Sequence, residues 1–363
     1  MKRTIQNLTM AAALLLGAAA MSSCAGFVDA LLGHEDTPAE TPTKPTTSDA
    51  NDGGSHEGSD MSLPPGAGSN IVDLSTLTED YTFKDGDVLT GTLDGTNTVI
   101  KLSVAPGAKV ILSGAQILGK DQGQFVNKWA GLTCLGNATI ILDGENTVRS
   151  FNRIYPCIQA GPEGSKLIVA GDGKLTTEGS SSAGIGSTEN ITCGDIAIQG
   201  GDLTLKDSHV SIGSVPSGSC GDITITGGTI TAQGGEVGIG SGFFGSCGDI
   251  IITGGTITAQ GGEFGIGCSG DESSCGDISI SWSENFVSLT AIKGNRVDYP
   301  IGSTGQSNCG DITFDGENIG VDNGGIYGRL KLTISTTLPE GVDETDEEAV
   351  KPYKDNTWTL TPQ

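Results

Sequence analysis

Residues 193–277 carry one text three times. The chain reads CGDIAIQGGDLTL from Cys193, CGDITITGGTITAQGGEVGIGSG from Cys220 and CGDIIITGGTITAQGGEFGIGC from Cys247. CGDI opens again at Cys275 and Cys309, so successive cysteines stand 27, 27, 28 and 34 residues apart. A fixed period of this size marks a stacked array of similar units. A second marker reaches further upstream: a buried-type aliphatic recurs at Leu132, Ile158, Ile185, Ile212, Ile239, Ile266, Ile301 and Ile326. Eight markers predict about eight coils, the outer ones degenerate.

Within a unit, Asp222 to Thr226 alternates polar and apolar residues, and so does Thr229 to Ala232. Period two is the spacing of a strand, and Ile, Thr and Val suit strands. Gly227-Gly228 and Gly234-Gly235 supply the corners, and Val237 with Ile239 makes a third short apolar pair. One such coil cannot bury its apolar face, whereas coil on coil can, with like residues stacked at the ~4.8 Å strand spacing. The expected fold is all-β: a single-stranded parallel β-helix, right-handed like other parallel crossovers, with capping strands at both ends. Glycine accounts for 58 of 363 residues, more than twice the usual ~7 %. Repeated corners need positive φ. Collagen is excluded because glycine does not fall at every third position.

The flanks differ from the coils. Residues 1–23 read as a lipoprotein signal peptide: Lys2 and Arg3, then an Ala/Leu-rich apolar run, then Met21-Ser22-Ser23-Cys24. This resembles a bacterial lipobox, which implies lipidation of Cys24. The residue after it is Ala25 rather than the Asp that retains enterobacterial lipoproteins at the inner membrane. The expected location is the outer membrane, with the protein exposed at the cell surface. Residues 24–70 are the lipidated Cys and a tether, rich in Thr, Pro, Ser, Asp, Glu and Gly, whose composition cannot support a core. Residues 71–131 form an N-terminal β segment and cap, 132–330 the β-helix, and 331–363 capping strands with an acidic loop. Trp129 reads as packing at the cap.

A formal charge of −25 argues against nucleic acid, which calls for a basic stripe. Of three histidines, only His209 falls inside the fold, and no nucleophile motif surrounds it. Between Ile185 and Cys275 the basic residues are Lys206 and His209, which leaves little to hold an anionic substrate. The repeated cysteines occupy one corner and predict a column. A ladder of buried thiols acting as small hydrophobes is the expected state; bridges along the column are the alternative, although parallel in-register Cβ vectors converge poorly, and a metal column lacks a CxxC pair or nearby His to complete a tetrahedral site. Cys268, off the column and close to Cys275 in sequence, is the expected partner of any bridge. Asp195, Asp222, Asp249, Asp277 and Asp311 predict a second column. Its members are expected to bond the next corner's amides; calcium bridging at Asp222, Asp249 and Asp277 is the alternative cofactor reading. The Thr-x-Thr pairs read as outward strand residues, because Ile251 interrupts the Thr224 column.

The alternation of GDITITGGTITAQGG with GIGSG resembles the glycine-rich β-helix repeats of Bacteroidales surface lipoproteins. More distantly, it is similar to the carbohydrate-binding β-helix family of clostridial cellulose-associated proteins. The likeness runs from about Trp129 to Gly328. The clostridial family implies polysaccharide binding with calcium held by Asp-rich corners; the corresponding corner here is Gly238-Ile239-Gly240-Ser241.

The function expected from these features is non-catalytic display of a β-helix for adhesion or for binding a polysaccharide or host glycan. Phe243, Phe244, Trp282 and Tyr299 are the candidate stacking residues. A structural envelope spacer and a polysaccharide lyase or hydrolase are the alternatives.

Overall fold

In the computed structural model the described residues are 70–363, apart from 122, 124–125, 180, 319–324 and 328. The expected signal peptide, Cys24 and the expected tether up to residue 69 lie outside them. The chain winds into a parallel β-solenoid with three faces. On the first face, Lys109–Ser113, Ala138–Asp143, Lys166–Gly171 and Asp195–Ile198 pair in parallel. The ladder continues through residues 223–225 and 250–252 to Ile278–Ile280 and Ile312–Phe314. The second face runs from Thr92–Asp94 through Gln116–Leu118, Glu145–Arg149 and Lys174–Thr177 to Phe286–Ile292. The third carries the aliphatic marker.

That marker stands in register. Leu132 pairs with Ile158, and Ile158, Ile185, Ile212, Ile239, Ile266 and Ile301 follow one below the other. All seven are buried, with no more than 2 % of their surface exposed. Ile on Ile at every rung fills a single aliphatic channel, each side chain contributing about 1.5–3 kcal/mol of burial. The eighth marker departs from this column. Ile326 lies in Gly325–Tyr327, which pairs antiparallel with Leu330–Ser335. Upstream there is no break at Leu132: Leu102–Val104 pairs with Leu132–Cys134, and Tyr81–Phe83 with Leu102–Val104. Residues 71–131 therefore wind on the same ladders as the repeats.

Two glycine columns show why the repeat text is so uniform. Gly213, Gly240, Gly267 and Gly302 all have φ between +131° and +138°, a region L side chains avoid. A Cβ on Gly240 would also sit 1.8 Å from the Gly267 carbonyl oxygen. The glycine of each Cys-Gly-Asp is needed for another reason. A Cβ on Gly248 would lie 2.2 Å from Asp222 Oδ1, because the carboxylate of the preceding rung lies against its backbone.

The far end is closed by a change of strand direction. Thr357–Pro362 lies antiparallel on Phe286–Ile292, and Leu330–Ser335 antiparallel on Thr357–Pro362. Trp358 is buried there against Phe314 and Tyr299. This cap satisfies the backbone edge that an open second face would present. Trp129 packs on the core beside Phe151, but inside the stack and not at a cap, because the coils of Tyr81–Phe83 and Leu102–Val104 lie beyond it.

Candidate functional site

The two predicted columns resolve differently. Asp195 Oδ1 accepts from the Asp222 amide at 3.1 Å, Asp222 from Asp249 at 2.9 Å, Asp249 from Asp277 at 2.9 Å and Asp277 from Asp311 at 2.8 Å. Each carboxylate thus caps the next corner, which is the structural role expected of it. The cysteine column contains both thiols and a bridge. Cys193, Cys220 and Cys247 are buried free thiols, while Cys275 and Cys309 form a disulfide across 4.8 Å of Cα separation. The bridge therefore lies within the column and does not include Cys268. In-register rungs are close enough for a bridge, and the longer 34-residue step before Cys309 gives that corner room to adjust. Burial pushes the Cys134 and Cys157 thiols up to about 12, so they behave as small apolar side chains.

The four aromatics expected to bind ligand occupy three different corners. Phe243 and Phe244 lie edge to face, ring centroids 4.2 Å apart, on the turn from the third face to the first. Phe244 has φ +55°, and Phe243 covers Gly270 of the next coil, where a Cβ would meet its ring at 2.1 Å. Trp282 is on the turn from the first face to the second, with the Arg329 guanidinium 4.5 Å above its ring. Tyr299 is on the turn from the second to the third, packed on Trp358. It borders a 550 Å³ hollow shared with Arg296, Asp298 and Asp311. Only the phenylalanine pair forms a joint exposed surface.

A larger concavity lies along the corner between the second and third faces, with a volume of 870 Å³. Its floor is bare backbone: Gly234-Gly235, Gly261-Gly262 and Gly294 stack there. All but Gly235 exclude a side chain: a Cβ on Gly262 would lie 2.1 Å from the Gly235 oxygen and one on Gly294 1.7 Å from the Gly262 oxygen. Gln233 and Gln260 stand in register along one lip, both exposed. The facing wall is the cap loop with Thr337, Pro339 and Tyr353. Asn356 locks that wall: its Nδ2 donates to the Thr337 carbonyl and its Oδ1 accepts from the Thr337 amide, both at 2.7 Å.

The bases at this groove all have partners. Lys206 pairs with Glu178 at 3.4 Å, and His209 Nδ1 lies 3.3 Å from Glu236 Oε1. Glu236 holds the His209 pKa above its usual 6.5, against some lowering by burial. Lys293 is 8 % exposed and its Nζ donates to the Val297 carbonyl at 2.7 Å. Burial lowers its pKa, opposed by Asp298 and Asp355.

Outside the groove, the second face carries a longer hydroxyl column than its sequence suggests. Thr147, Thr176, Thr204, Thr231, Thr258 and Thr290 are in register. The interruption at Ile251 belongs to the first face, where Ile251 follows Thr224. With this geometry in place, one comparison decides the class of repeat. Residues 223–243 and 250–270 match the family model of the beta helix repeat.

The chain is a parallel β-helix whose central coils match the beta helix repeat. The matched segments are two of the three coils that floor the groove, the two that carry its glutamines. No curated protein and no solved structure matches the chain.

Proposed function

We propose that this parallel β-helix is a non-catalytic, lipid-anchored surface protein that binds a linear glycan along the groove at the corner of the second and third faces. The observation that carries the reading is the glycine floor, which brings bare backbone to the bottom of an 870 Å³ trough. Such a trough admits a long polar chain and offers it carbonyl and amide groups. Beside it, hydroxyls and amides recur at each rung: Thr229, Thr231 and Gln233 on one, Thr256, Thr258 and Gln260 on the next. These neutral groups suit sugar hydroxyls better than they suit a charged ligand. The partnered state of Lys206, His209 and Lys293 supports binding rather than base catalysis.

Affinity electrophoresis through immobilised neutral and acidic polysaccharides tests the reading. Retardation by at least one neutral polysaccharide is expected, weakened about tenfold or more in Gln233→Ala/Gln260→Ala with its circular dichroism unchanged. A chain retarded by none of them, or equally retarded in the variant, would remove the groove from the account. Anchoring through Cys24 is tested by labelling cells with an alkyne fatty acid. Label should enter the full chain and be lost in Cys24→Ser.

A second reading, a ligand-free envelope spacer, is favoured by the aspartate column, whose carboxylates are engaged between rungs. Unchanged glycan binding by cells lacking the protein, together with a weakened envelope, would select it.

A further inference from the structure

Neither the groove nor the aspartate column uses the sulfur chemistry at the end of the stack. Cys268 occupies a position where the neighbouring coils have serine: Ser214 and Ser241 precede it in register and Ser303 follows it. This exception falls beside the one bridged corner. Its thiol is fully buried, and its Sγ lies 3.4 Å from Cys309 Sγ. Cys309 is half-buried and bonded to Cys275. The sulfurs of Cys268, Cys275 and Cys309 all lie within 4.8 Å of one another. With two of the three joined to each other, they offer no ligand set for a metal ion. What they do present is a thiol in contact with a disulfide: because the Cys268 and Cys275 sulfurs also lie within 4.8 Å of each other, the thiol stands to the side of the Cys275–Cys309 bond, and a side-chain rotation must bring it into line before it can attack.

We propose that Cys268, Cys275 and Cys309 form a thiol–disulfide exchange site in which Cys268 is the internal nucleophile and Cys309 the sulfur attacked. Cys268 gives up its proton, and a lone pair on its sulfur forms the bond to Cys309 Sγ. The Cys275–Cys309 bond breaks, its electron pair leaves on Cys275, and Cys275 takes up a proton. One disulfide and one thiol enter, and one of each leaves, so no oxidant or reductant is consumed. The exchange changes what is tied together. The Cys275–Cys309 bond joins like corners of successive coils, whereas Cys268–Cys309 ties the end of a third-face strand to the next coil's corner. It also releases Cys275 into the thiol column below Cys247.

The surroundings set the rate. Burial, with a smaller push from Cys247, raises the Cys268 thiol to about 11, against hydrogen bonds to Ser307, Ser273 and the Cys275 backbone. Exchange is therefore slow at neutral pH and accelerates about tenfold per pH unit while the thiolate fraction remains small.

The test is disulfide mapping of the full chain. Protein held at pH 7 or pH 9 is quenched in acid, alkylated in denaturant and cleaved after Glu272, Lys293 and Arg296, which separates the three cysteines. Two linkages, Cys275–Cys309 and Cys268–Cys309, are expected, approaching the same ratio at both pH values but about a hundredfold faster at pH 9. Cys275→Ser should form Cys268–Cys309 in a glutathione redox buffer, and Cys268→Ser should show only Cys275–Cys309. A folded Cys275→Ser chain whose Cys268 and Cys309 both stay reduced, in a buffer where the unaltered chain is bridged, would overturn the proposal. Should Cys275→Ser not fold, the unaltered chain decides: a single linkage at both pH values overturns it equally.

Discussion

The coils from Cys220 to Cys268 and the turns after Cys275 are built by one rule but secured in different ways. In the first region the period is strict, and each side chain's task is set by the residue one rung away: Ile on Ile, glycine on glycine, aspartate on the next amide. In the second the steps lengthen and the strands finally reverse. There the stacking is supplemented by a disulfide, by Arg329 over Trp282, by the Lys293–Val297 bond and by buried Trp358. Repetition serves as its own crosslink while it lasts, and specific side-chain contacts take over where it fails.

Breaking the strict region should have the largest effect. Gly240→Ala places a Cβ against the Gly267 carbonyl at positive φ and is expected to cost about 4 kcal/mol. Gly305→Ala in the terminal turns, where nothing lies within 4 Å of the added Cβ, should stay within about 0.5 kcal/mol. Urea midpoints of the two variants compare the regions directly. Next comes the staple: Cys309→Ser opens a bridge spanning 34 residues and should cost about 3–4 kcal/mol. Amide exchange should quicken in the terminal turns before it does around Ile239. A smaller effect is expected from Asp222→Ala, which removes one acceptor from the Asp249 amide and should cost about 1 kcal/mol, read from the same midpoints.

The smallest effect is electrostatic. Glu236 raises the His209 pKa, so the pair's stabilisation is complete below about 6.5 and is lost as pH rises through the raised value. Glu236→Gln should bring the His209 titration midpoint, followed by NMR, down toward 6.5. A midpoint that does not move would show that the pair does not form.

The stack was legible from its period because each inward position recurs with the same residue type, and Ile185, Ile212, Ile239 and Ile266 are buried in one channel. The aspartate bonds were legible too, since a carboxylate repeated at a corner has the next corner's amide within reach. Ile326 misled because an apolar residue beside glycine looks alike in parallel and antiparallel strands. The threonine column was hidden because Thr147 and Thr176 lie outside the repeated text and align with Thr204 only through backbone register. No local signal marks the groove, since its floor and its wall come from parts of the chain far apart in sequence. Cys268 was noticed for standing off the column, and the repeated text aligns it with Ser241, but only the structure shows that its sulfur lies against the Cys275–Cys309 bridge.

The most direct test of the stack is a spin-label distance between Thr147 and Thr258, labelled through unnatural side chains so that the native cysteines are left alone. These residues are 111 apart in sequence but separated by four in-register steps, which at the strand spacing places them about 19 Å apart. A narrow distribution centred near that value is the predicted result. A broad one, or one centred several nanometres away, would mean that the coils do not share an axis.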